Sequence, residues 1–209
     1  MRLNTLSRDT RGLALIEFAL SLPVLLALAL TGVETANYVL AVQRVSQVAS
    51  VVADTAGRGA NAIDDAQVNE IMTGARMIGQ RIGLGANGRI ILSDLEQSTS
   101  NTQRQWIRWQ RCSGAKRVDS SYGTPAAMTN STMTAMGPAG NQIAAQRNTA
   151  VMFVEVMYDY QPIIAGDLIP AGSRMIRSVA AYNVRQRTSY VLGSGGLSDS
   201  QKALCSVYG

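Results

Sequence analysis

A single carboxylate, Glu17, stands in an otherwise uncharged run from Leu13 to Val33. An acid at mid-bilayer costs ~2.5–3.5 kcal/mol on insertion scales, so in such a run it is functional by default and calls for a cationic partner. Other reactive chemistry is sparse. With no histidine in the chain, neither a Ser-His-Asp nor a Cys-His arrangement can form. Two widely separated cysteines, Cys112 and Cys205, do not make a zinc site. Glu155 and Asp159 lie four residues apart on a strand-like run, about 13 Å in extended chain, too far to share acid–base work. No phosphate-binding loop of the G-x-x-x-x-G-K type and no calcium loop is present. Residues Gly83–Gly88 do spell G-x-G-x-x-G, but with a helix pattern before and a strand pattern after. Dinucleotide binding needs the reverse order, so this segment reads as a turn. Arg104, Arg108, Arg111, Lys116 and Arg117 surround Trp106 and Trp109. Together they invite a nucleic-acid or lipid-headgroup reading. Only alternate strand positions project together, however, so they read as an exposed strand face with the tryptophans in the core, and no nucleic-acid partner is expected. These observations predict a protein that is not an enzyme and carries no metal or cofactor.

The elements that must position Glu17 follow from hydropathy. Leu13–Val33 makes a helix about 31 Å long, enough to cross a bilayer. Arg2, Arg8 and Arg11 precede it against Asp9, and the first basic residue beyond it is Arg44. The positive-inside rule then puts the N-terminus in the cytoplasm and the bulk of the chain outside. A secretory signal peptide is the competing reading, with a weak small-residue site at Gly32–Ala36, but the apolar run exceeds the ~7–15 residues of a signal core. Between Tyr38 and Asp54 there is no Pro or Gly, and Ala41, Val45, Val48 and Val52 form one helical stripe opposite Gln43, Gln47, Ser50 and Asp54. One helix from about Leu13 to Thr55 is therefore expected, apolar all round and then amphipathic, with Pro23 removing one donor inside the membrane part. Gly57 and Gly59 end it.

Asp64-Asp65 caps a second helix, whose stripe is Val68, Ile71, Met72, Ala75 and Ile78, ending near Arg81. Four strands are expected at Arg89–Leu95, Gln103–Cys112, Val151–Tyr160 and Arg174–Arg187, with turns at Gln97–Thr102 and Pro162–Gly172. Met152, Val154, Val156, Tyr158 and Tyr160 share one face of the third. Strands without intervening helices favour an antiparallel sheet, covered on one face by the long helix. Ser113–Asn148 is a long low-signal loop, with a short helix near Gly140–Arg147, and the tail after Ser189 is loosely ordered except at Cys205. An even cysteine pair outside the membrane is expected to be oxidised; two buried free thiols are the alternative. Net charge is +5, mildly basic and short of a nucleic-acid signature.

Gly12, four residues, then Glu17-Phe18 resembles the prepilin-peptidase site of type IV pilin-like proteins. The longer string RGLALIEFALSLPVLLALAL resembles the TadE-like minor pilins, or pseudopilins, of the Tad (tight adherence) pilus branch. IRWQRCSG at 107–114 and VEVMYDYQPI at 154–163 resemble the body of those proteins. The resemblance implies an α+β, pilin-like fold: a long N-terminal helix, transmembrane then amphipathic, packed on a small antiparallel β-sheet head. It implies a leader at 1–12, a transmembrane helix at 13–33, its periplasmic continuation at 34–57 and an extracytoplasmic α+β domain at 58–209 with a long loop at 113–148. It further implies cleavage after Gly12, leaving Leu13 as the new N-terminus, with Glu17 and Phe18 serving assembly. The exposed amine of Leu13 is then a cation for Glu17. The implied partners are other pilin and pseudopilin subunits, a prepilin peptidase and the inner-membrane pilus assembly machinery. Two other classes remain open: an uncleaved membrane-anchored adhesin or ligand-binding protein, and an anchored extracytoplasmic enzyme.

Overall fold

The computed structural model describes residues 12–59, 61–164 and 174–209. Of residues 1–12, which the resemblance implies are a leader, only Gly12 falls among them, and most of the Pro162–Gly172 connection lies outside them. Helix α1 (Leu13–Arg58) runs unbroken through Pro23 and ends at Gly59. Its residues from Leu13 to Val33 are exposed, and burial begins at Glu34. Beyond that point Ala41, Val45, Val48 and Val52 are buried as the stripe requires, joined by Ala49, Ala53 and Ala56. Small and β-branched residues on this face let the helix lie close against the sheet.

Helix α2 (Asp65–Ile78) opens with a capping box. The Gln67 N–H donates to Asp64 Oδ1 at 2.8 Å, and the Asp64 N–H donates back to Gln67 Oε1 at 3.2 Å. Two of the helix's orphan donors are thereby satisfied. A 3-10 turn at Gln80–Ile82 and a single helical turn, α3 (Leu84–Asn87), lead into the sheet. The Gly83–Gly88 segment is thus a helical turn running into a strand, with no strand before it.

Strands β1 (Gly88–Gln97), β2 (Gln105–Ser113), β3 (Ala150–Asp159) and β4 (Met175–Asn183) form one antiparallel sheet in the order β2-β1-β3-β4. Asp94 faces Trp109 while the next residue, Leu95, faces Ile107, so Arg108 is the extra residue of a bulge. The fold is α+β, as expected. β4 stops at Asn183, short of the expected Arg187. After it one more bond, Val184 N–H to Ala150 O, follows β3; then the chain turns away, the Arg185 N–H donating to Gly57 O and the Arg187 side chain turning inward.

Both faces of the sheet are covered. On one, Ile90, Leu92, Trp109, Met152, Val154, Val156 and Tyr158 pack with the α1 stripe and α2. On the other, Leu95, Ile107, Val151 and Phe153 pack under Met136 and Ala145, with Tyr122 and Met133 beside them. The long loop at 113–148 is therefore the second covering layer of the sheet. No helix forms at Gly140–Arg147. There the Gln105 side chain takes both backbone groups of Ala145, donating to its carbonyl at 3.2 Å and accepting from its N–H at 2.8 Å. That bond diverts groups a helix would use.

The tail also departs from expectation, being bound along its length. The Asp65 N–H donates to Gly193 O, Gly193 N–H to Ile63 O, and Cys112 N–H to Ala203 O. Cys112 and Cys205 are joined, Cα atoms 4.7 Å apart, across 93 positions. Buried Arg89 donates to the carbonyls of Gly114, Cys205 and Val207 and sits 4.3 Å from the Tyr208 ring centroid. This guanidinium does for the chain end what a strand partner would do, satisfying carbonyls that have no ladder.

Candidate functional site

Gly12 precedes the first residue of α1 with φ −81° and ψ −19°, and no side chain caps the helix there. Leu13, Glu17 and Phe18 are all exposed. Leu13 and Glu17 are four residues apart in an α-helix and so lie one above the other on the same face. A carboxylate in the second turn also faces the positive end of the helix dipole. Among the described residues Glu17 has no ion-pair partner. The helix thus presents a lone acid, surrounded by exposed Leu15, Ile16, Phe18 and Leu20, to whatever surrounds it.

A second acid on α1 is treated in the opposite way. Glu34 is buried where the helix meets the head. Its Oε1 accepts from the Tyr160 hydroxyl at 2.6 Å, and its Oε2 accepts from the N–H groups of Ile163 at 3.1 Å and Ile164 at 2.9 Å. Asn37 Nδ2 donates to the Tyr160 oxygen at 3.0 Å, and the Tyr38 ring meets the Tyr160 ring edge-on at 5.1 Å. The Tyr160 hydroxyl, helped by the two amides, holds the Glu34 carboxyl below the usual carboxylate range. Burial, reinforced by its bond to Glu34, pushes the Tyr160 phenol up to about 12. Donor and acceptor are therefore both fixed across neutral pH. This joint ties the first residue beyond the apolar run to the end of β3.

Sequence reasoning missed Glu34, although it stands seven positions before Ala41 and fourteen before Val48, on the same helical stripe. A charge on a buried stripe is the signal; its partner at residue 160 becomes visible only once β3 packs on α1.

Glu155 and Asp159 do not pair with each other. Glu155 is buried, accepts from Ser120 Oγ at 3.1 Å and the Ser121 N–H at 3.0 Å, and lies 3.3 Å from Arg177 Nε outside hydrogen-bond geometry. It fastens the long loop to β3. Asp159 pairs with Lys116. The arginines of β2, read as an exposed face, are largely committed to carboxylates: Arg108 pairs with Glu96 and Arg111 with Asp65. Trp109 is buried as expected, while Trp106 is half-buried beside the Arg108 guanidinium, 4.7 Å from the ring centroid.

Beneath α1 lies the one strongly perturbed acid among the described residues. Asp94 is fully buried, and neither carboxylate oxygen has a hydrogen-bond partner. Burial, then the Glu96 charge, pushes its pKa up to about 8; Arg187, Arg108 and the nearby Trp109 N–H oppose this. Arg187 reaches the same interior from the end of β4 and donates to Ala56 O at 2.5 Å. Both side chains are buried, Asp94 completely, so the pair is read as part of the packing under α1.

A family model described as TadE-like protein matches residues 12–54, beginning on Gly12 and covering the run with Glu17, Glu34 and most of the packing stripe. No curated protein and no solved structure matches the chain.

Proposed function

We propose that this chain is a minor-pilin-like or pseudopilin-like component for assembly of a Tad-type pilus, processed by a prepilin peptidase after Gly12 and anchored by its N-terminal helix. The observation that carries the reading is Glu17: a lone charge at the start of an exposed, bilayer-length apolar helix, inside the segment similar to TadE-like proteins. Its work is structural, not catalytic. The basic N-terminus stays in the cytoplasm and the α+β head lies in the periplasm. Cleavage frees an amine at Leu13 one turn from the Glu17 carboxylate. That amine, in the same or a neighbouring subunit, neutralises the acid as the apolar helices pack, and the pairing selects a helix register. Other pilin and pseudopilin subunits and the inner-membrane assembly machinery are the partners.

N-terminal sequencing of the protein from pilus-building cells should begin at Leu13. Glu17→Ala should insert into the membrane normally and fail to support pilus formation. An intact Met1 would overturn cleavage and leave an uncleaved anchored binding protein; normal pili from the variant would remove the role given to Glu17.

A further inference from the structure

We infer that the turn after β3, at Ile163 and Ile164, is a second membrane contact that sets the head down on the phospholipid surface beside its own helix. The inference rests on the single-pass anchor proposed above. Residues 13–33 fill the ~30 Å hydrocarbon layer, so Glu34 marks its outer boundary. The backbone N–H groups of Ile163 and Ile164 are bonded directly to the Glu34 carboxylate, which fixes this turn at the same height. The two isoleucines are 68% and 41% exposed, adjacent in sequence, on a head whose other large apolar groups are mostly inside.

The surroundings at that height suit a lipid headgroup zone. Between Glu34 and Arg44 the helix carries no charged residue, a rise of about 15 Å. Tyr38, half-exposed and edge-on to Tyr160, stands one turn above Glu34, the level at which tyrosines collect at membrane interfaces. The Glu34 charge is turned inward, satisfied by three donors, so it does not oppose lipid contact. The partner this chemistry fits is the acyl–headgroup boundary of a bilayer. The consequence is mechanical: a helix held by one span can swivel, whereas a helix plus a shallow apolar turn fixes the tilt at which the head is offered to the next subunit.

The test uses the full chain in vesicles of phosphatidylethanolamine and phosphatidylglycerol at low protein density. The native cysteines are paired and none is free, so one added cysteine can carry an environment-sensitive fluorophore. Probes are placed by Leu22→Cys in the span, Ile163→Cys at the turn, and Val191→Cys, 61% exposed in the tail segment near the far end of α1. Nitroxide lipids carrying the quencher deep or at the headgroup should quench the first from the deep position, the second from the shallow position, and the third from neither. Adding Glu34→Ala to the Ile163 probe should reduce its shallow quenching by freeing the turn. Quenching at Leu22 with none at Ile163 overturns the inference while leaving the anchor. Loss of quenching at Leu22 overturns the anchor itself. A blue-shifted Ile163 probe that lipid quenchers do not reach would mean that protein covers the turn, and also overturns it.

Discussion

Replacing Asp94 by Asn should flatten the pH dependence of the head's stability. The chain has no histidine, and among the described residues Asp94, at about 8, is the one perturbed side chain whose titration reaches into the range between pH 5 and pH 8. Its ordinary pKa is 3.8 and its folded value is raised. A raised folded pKa means that the native state holds the proton more tightly than the unfolded chain. The Asp94 contribution to stability is then complete below about pH 4 and is lost as pH climbs towards 8. Each pH unit in that window is worth at most about 1.4 kcal/mol, so moving from pH 5 to pH 8 should remove up to about 4 kcal/mol. Asparagine has nearly the same shape and cannot ionise. Urea unfolding of the full-length protein in non-ionic detergent, followed by tryptophan fluorescence, reads the effect directly, since Trp109 lies opposite Asp94 in the ladder. The wild type should lose stability across the window; Asp94→Asn should stay level and become the more stable of the two at pH 8. An Asn variant that keeps the wild-type slope would refute the reasoning, as would a wild type that is level throughout.

Cys112→Ser or reduction of the bridge should cost about 2–5 kcal/mol, read in the same unfolding assay, because the bond closes a 93-position loop. Leu92→Ala, under α1, should destabilise the head by about 2–5 kcal/mol, whereas Leu28→Ala, 65% exposed in the span, should leave it unchanged. Gly114→Ala should destabilise the head and loosen the tail, measured by C-terminal proteolysis. The residue sits at φ +111° and an added Cβ would lie 2.3 Å from Gly88 O, so the carbonyl that Arg89 grips must move.

What could be read along the chain was whatever repeats at short range. The α1 stripe, the Asp64 cap, the alternation of β3 and the existence of four strands all follow from spacing between near neighbours, and each appears in the structure, whereas the pairing of β1 with β3 across the long loop does not follow from it. The 113–148 loop was not legible because its order is borrowed: Met136 and Ala145 are buried by a sheet face built from residues 95, 107, 151 and 153. The tail was misread for the same reason, since its bonds run to Ile63, Asp65, Arg89 and Cys112.

Two glutamates on one helix divide what the chain settles from what folding settles. For Glu17 the expectation rests on the sequence alone: a lone carboxylate in a bilayer-length apolar run calls for a partner wherever the rest of the protein goes, because its desolvation depends on immediate neighbours. Glu34 follows the same run by sequence and could as well have been solvated. Only the packing of β3 against α1, bringing Tyr160 and the amides of Ile163 and Ile164 from over a hundred residues away, turns it into a buried joint. Local desolvation is written in composition; the donors that answer it exist only after the chain has folded.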